Sequence, residues 1–154
     1  MKQMKSRIAI TLMLLSINLI QPAHADESME TEILHHINHY RITHGLSRLT
    51  MNAAISKEAT QHSVEMARHQ LPFGHNKFDQ RVKRLSKSIQ YTNGCAENVA
   101  YNYKSAQDVV KNWLLSPGHR QNIRGHYNLT GIGVARDERG RIYYTQLFVR
   151  TNRA

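Results

Sequence analysis

Apolar residues recur at steps of three and four along some stretches of the chain and at steps of two along others. In SMETEILHHINHYRITHGLSRL, Ile33, Leu34, Ile37 and Tyr40 share a helical face. Ser28 can cap the first free N–H groups and Gly45 can take the backbone that stops a helix, so the pattern predicts a helix over 29–44. Ala54, Ile55, Ala59, Met66 and Ala67, with Asn52 as cap and Pro72 as stop, predict a second over 53–70. A third, shorter and strongly basic, is expected in DQRVKRLSKS with one face exposed, and SAQDVVKNWLL predicts a fourth that buries Val109, Val110, Trp113 and Leu114 behind a Ser105 cap. The following SPGHRQNI reads as a turn, since Pro117 fixes φ and Gly118 is permissive. The pattern then changes period. TGIGVARDERGRIYYTQLFVR carries two β-rich segments around Asp137 to Gly140, an antiparallel hairpin, and a further strand is expected within IQYTNGCAENVAYN.

The first 25 residues stand apart from this pattern. Lys2, Lys5 and Arg7 precede the apolar run Ile8 to Ile20, and Ala23-His24-Ala25 offers small residues where a signal peptidase reads. We expect residues 1–25 to be a secretory signal, cut after Ala25 and shorter than the ~20 apolar residues of a membrane anchor. Residues 26–154 then form a single domain, secreted or periplasmic, with no transmembrane anchor.

Charge narrows the partners. The leader takes three of the 21 Lys and Arg, leaving 18 against 11 acids and a net charge of +7. This favours anionic partners, which for an exported chain means lipid or envelope polymer rather than nucleic acid; no aromatic-interleaved basic platform is present. Arg120, Arg124, Arg136, Arg139 and Arg141 are candidates for a basic rim or a solvated face. Cys95 is the only cysteine, so no internal disulfide forms; it reads as a small buried residue, with a Cys95-linked dimer as the alternative.

Three residues stand out chemically. His75 follows the break Pro72-Phe73-Gly74, Glu97 follows Gly94-Cys95, and His119 sits within the Pro-Gly segment. Two imidazoles and a carboxylate are a recurrent set for Zn2+ or another divalent metal with an open fourth position. The same residues can equally cap turns, brace loops or bond backbone carbonyls, and their spacing decides nothing. His35 and His39, four apart on the first helix, read as surface histidines, Asn98 as structural, and Trp113 and Phe148 as core.

FGHNKFDQR, GCAENVAYN, VVKNWLLSPGHRQNI and TGIGVARDERGRIYYTQLFV occur in the order seen in the CAP superfamily of SCP-like domains, and resemble its compact bacterial secreted branch over about residues 30 to 150. The resemblance implies an α+β fold, a three-layer α-β-α sandwich with a central mainly antiparallel sheet and a cleft lined by acids and histidines. In relatives that cleft carries two histidines and two glutamates, and several bind a divalent metal there. His75 resembles the first histidine and Glu97 the first glutamate. Ser116 stands where the second glutamate would fall, Tyr143 where the second histidine begins a His-Tyr-Thr-Gln motif, and Ala96 where glycine is usual. His119 is the substitute, because the bacterial branch carries Ser-Pro-Gly-His-Arg near the cleft. His75, Glu97, His119 and Tyr143 are therefore the expected cleft residues, the first three also the expected metal ligands.

The expected function is an exported, non-catalytic module that binds a lipid, envelope polymer or protein. One alternative is a zinc-assisted hydrolase cleaving peptides or envelope polymers, with Glu97 as ligand or general base. A Ser116–His119 triad lacks an orienting acid. The other alternative is an interaction protein that uses its basic surface alone.

Overall fold

The computed structural model describes residues 28–152, so the expected signal segment lies outside the described residues. The chain runs α1 (Met29–Thr43), β1 (Thr50–Met51), α2 (Ala53–Ala67), α3 (Phe78–Ser88), β2 (Thr92–Tyr101), α4 (Ala106–Leu115), α5 (Pro117–Arg124), β3 (Leu129–Arg136) and β4 (Ile142–Thr151). Ser28, Asn52 and Ser105 accept hydrogen bonds from the opening N–H groups of α1, α2 and α4, as the sequence predicts.

Two helix boundaries differ from expectation. The second helix stops at Ala67, because His69 adopts φ +55° and the Gln70 N–H bonds back to the Glu65 carbonyl, closing the helix before Pro72 acts. SPGHRQNI is not a turn: Ser116 is the N-cap and Pro117 the first residue of α5, where its missing N–H costs nothing.

The strand order is β1-β3-β4-β2. β4 pairs antiparallel with β3 and β2, whereas β1 runs parallel to β3, so the sheet is mixed. Side chains alternate across it. Tyr144 and Phe148 of β4 face α1, α4 and α5, joining Ile33, Ile37, Val109, Trp113 and Ile123 in the larger core. Tyr143, Leu147 and Val149 point the opposite way, into smaller clusters with Ile55, Ala59 and Met66 of α2 and Leu85 of α3. The result is the α-β-α sandwich. Gly131 and Gly133 let α2 lie directly on β3: a Cβ at either would come within 2.2 Å of α2 backbone atoms.

A buried ion pair behind a histidine cleft

β2 is an edge strand, and its adjacent residues Glu97 and Asn98 point to opposite faces of the sheet. The Glu97 carboxylate enters the layer built by α2 and α3. Glu97 is only 5% exposed and Arg81, on α3, only 2%. Arg81 Nε donates to Oε2 at 2.8 Å and Nη2 to Oε1 at 2.8 Å, a two-pronged grip, while Nη1 donates to the Asn76 carbonyl at 2.8 Å. His75, in the α2–α3 connection, places Nδ1 2.9 Å from Glu97 Oε1. A carboxylate only accepts, so Nδ1 carries the hydrogen and Nε2 is left as the free acceptor. The His75 side chain is 52% exposed, which puts that acceptor within reach of a ligand.

His62 of α2 completes the charged side. Its Nε2 donates to the Gly74 carbonyl at 2.8 Å and lies 4.0 Å from Glu97 Oε1, and its buried Nδ1 has no hydrogen-bond partner among the described residues. Burial holds the His62 pKa below its ordinary value, as does Arg81, while the Gly74 bond and Glu97 oppose the shift.

Asn98 serves the other face with neutral groups. Its Nδ2 donates to the His119 carbonyl at 3.1 Å, and its Oδ1 accepts from Asn122 Nδ2 at 2.9 Å. Asn122 also donates to the Glu97 carbonyl, and Trp113 Nε1 donates to the Val99 carbonyl at 3.1 Å. Side chains of α4 and α5 thus occupy strand-edge carbonyls that another strand would otherwise seek. His119, in the first turn of α5, is half-buried, and its pKa is lowered by burial and then by the nearby His75. It lines a cavity of about 310 Å³ with Phe73, Tyr101, Asn112, Trp113 and Ser116 among its walls.

The structure therefore brings His75 and Glu97 into direct contact and sets His119 close to His75. Tyr143 is placed differently: it is buried against Met66, Ala67 and Val99, with its ring 5.0 Å from that of Tyr101, behind the aromatic border of the cavity. The arginine rim divides. Arg136, Arg139 and Arg141 border a concavity of about 680 Å³ with Arg68 and His69, whereas Arg120 and Arg124 belong to α5. His35 and His39 are exposed as expected; Cys95 is half-buried against the cluster of Ile55 and Leu147 rather than fully buried, and burial raises its thiol pKa; Trp113 and Phe148 are core and Asn98 is structural, as expected.

Sequence reasoning missed Arg81, His62 and Asn122. Arg81 belongs to a helix expected to be basic and exposed. The signal for His62 was available: it falls with Ile55, Ala59 and Met66 on the apolar stripe of α2, where a polar residue needs a partner.

The model of CAP, the cysteine-rich secretory protein family, matches residues 34–148. The chain belongs to the CAP family. It is 35% identical over 125 residues to YkwD, an uncharacterized protein of Bacillus subtilis, and 33% identical over 124 residues to YlbC, an uncharacterized membrane protein of the same organism. These alignments cover 78% and 79% of the chain but 46% and 34% of the relatives, so the chain spans less than half of either. An SCP-domain extracellular protein of Bacillus anthracis superposes with a TM-score of 0.66 at 25% identity, covering 80% of this chain and 40% of that one. An outer surface protein of Borrelia burgdorferi gives 0.66 at 20% identity, covering 78% and 90%. The CAP domain here has one cysteine and stands on packing without an internal disulfide. Among the described residues no helix is long and apolar enough to cross a membrane.

The divalent metal implied by the CAP resemblance does not fit this donor set. Both Glu97 oxygens are already engaged by the Arg81 guanidinium, and Oε1 also accepts from His75. Among the described residues no three His, Cys, Asp or Glu side chains are grouped to hold a metal ion.

Proposed function

We propose that this CAP domain is part of an exported protein and binds a ligand in the cleft between His75 and His119 without turning it over. One observation carries this reading: Glu97 is spent on Arg81 and His75, and among the described residues no carboxylate lines the cavity beside His119. A hydrolase needs a separable acid, base and oxyanion donor; the imidazoles here could move protons, but among the described residues no free carboxylate stands beside them to orient or activate a nucleophile. What remains is a recognition surface. The His75 Nε2 acceptor and the His119 ring suit a ligand with O–H or N–H donors, and Phe73, Tyr101 and Trp113 suit an apolar portion.

The test is to follow the His75 and His119 ring resonances while adding soluble cell-wall fragments and, separately, envelope lipid extract. The expected result is a saturable shift of both rings with no new product. Product formation that disappears in His75→Ala overturns the reading.

A second observation favours lipid as the ligand class at another place. Val110, Leu114, Leu115, Tyr40 and Thr43 line a mostly apolar groove of about 350 Å³ between α1 and α4. Lipid that shifts the Leu114 and Leu115 methyl resonances and leaves both cleft rings unmoved would assign the ligand to that groove.

A further inference from the structure

We propose that Arg81 is the resident cation of this site: its guanidinium holds both oxygens of the buried Glu97 carboxylate, so that carboxylate serves the guanidinium and the cleft is built to work without a divalent metal. Glu97 Oε1 lies 2.9 Å from His75 Nδ1 and 4.0 Å from His62 Nε2, and both nitrogens carry hydrogens, given to Glu97 and to the Gly74 carbonyl, so neither offers a lone pair to a metal. The carboxylate itself is held. Arg81 Nη2 sits 2.8 Å from Oε1 and 2.7 Å from Oε2, and Nε sits 2.8 Å from Oε2.

The pairing has a chemical reason. A buried carboxylate needs a compensating positive charge, and a guanidinium supplies it permanently, with planar donors matched to two oxygens. The third anchor, from Nη1 to the Asn76 carbonyl, fixes the plane. Lys77, which precedes α3, holds φ +60°, and this bend sets the start of the helix that carries Arg81. A metal entering here would have to evict the guanidinium and leave it buried without its carboxylate. It would also compete for His75 Nδ1, whose hydrogen bond to Glu97 leaves Nε2 as the free acceptor. Arg81 is thus a positioning residue: it holds Glu97, and Glu97 aims His75. This holds whatever ligand the cleft takes.

The experiment adds zinc to the exported protein, wild type and Arg81→Met, each checked for folding by circular dichroism. Calorimetry counts bound ions and NMR reads the His75 ring and the Arg81 Nε–H. His75→Ala in each background subtracts zinc held by surface histidines. The expected result is a wild-type Arg81 Nε–H unmoved by zinc, and in Arg81→Met a His75-dependent site with a gain of roughly a hundredfold in zinc affinity. Two results overturn the proposal: zinc that displaces the Arg81 Nε–H in wild type, or folded Arg81→Met with no His75-dependent zinc. Should Arg81→Met not fold, wild type decides alone, because an Nε–H that survives excess zinc supports the resident cation and one that is lost refutes it.

Discussion

Glu97 and Asn98 are neighbours on one strand, yet they organise the two sides of the sheet by different physics. On the α2–α3 side a buried charge is met by Arg81 and passed to His75; on the α4–α5 side neutral amides link Asn98, Asn122 and the His119 backbone. Both sides end in an imidazole at the same cleft. The charged side fixes a side-chain tautomer, and the neutral side fixes where a helix begins. Charge is used where a ring nitrogen must be aimed, and amides where only a backbone must be placed.

The sharpest way to break the comparison is to remove one charge. Arg81→Met leaves Glu97 buried and uncompensated, and should cost about 3–5 kcal/mol in urea unfolding. Adding Glu97→Leu should recover most of that loss, because replacing both members of a buried pair with apolar groups is close to neutral. A double variant as unstable as the single would mean that the guanidinium's bond to Asn76, rather than its charge pairing, holds α3 in place.

The next effect tests how the charged side is assembled. Gly133→Ala drives a Cβ to 2.2 Å from the Thr60 backbone nitrogen, so α2 must lift from β3. We expect a loss of about 2–3 kcal/mol. Because His62 rides on α2, its ring resonances should move with the substitution while those of His119 stay. The neutral side should yield less. Asn98→Ala removes the bonds to the His119 carbonyl and from Asn122, at about 1–2 kcal/mol, and should broaden the α5 amides without touching the Arg81 Nε–H.

The two sides also differ in how far the sequence disclosed them. The helices and the hairpin were legible because apolar period and capping residues act locally, as Ser28, Asn52 and Ser105 show. His75 and Glu97 were legible as a pair through the family resemblance. Arg81 was not. A guanidinium on a basic helix looks solvated until the fold supplies a buried carboxylate 16 residues away. Tyr143 was legible only as a motif position; strand parity sets it on the Glu97 face of the sheet, where it is buried against Met66 and Val99. α5 was missed because Pro-Gly serves a turn and a helix start equally well, and the choice between them is made by tertiary packing of Ile123.

The smallest expected effect is the pH dependence, and it separates the two imidazoles that burial treats alike. His62 and His119 are both held below the ordinary 6.5, in each case first by burial. In the unfolded chain each imidazole gains its proton as pH falls through that ordinary value, whereas the folded protein resists. Stability is therefore complete above about pH 6.5 and declines as pH falls toward the depressed folded values, which a urea midpoint measured from about pH 7.5 down to about pH 5.5 should show. Beyond burial, the causes diverge: Arg81 and Glu97 act on His62 in opposite directions, while His119 feels His75. Glu97→Gln should accordingly lower the His62 titration further, since the carboxylate that favours its protonated form is gone. His75→Asn should instead raise the His119 titration toward 6.5, the ordinary value, because the nearby His75 is the second cause that lowers it. If His119 failed to respond to His75→Asn, its depression would be burial alone and the two sides of the cleft would titrate independently.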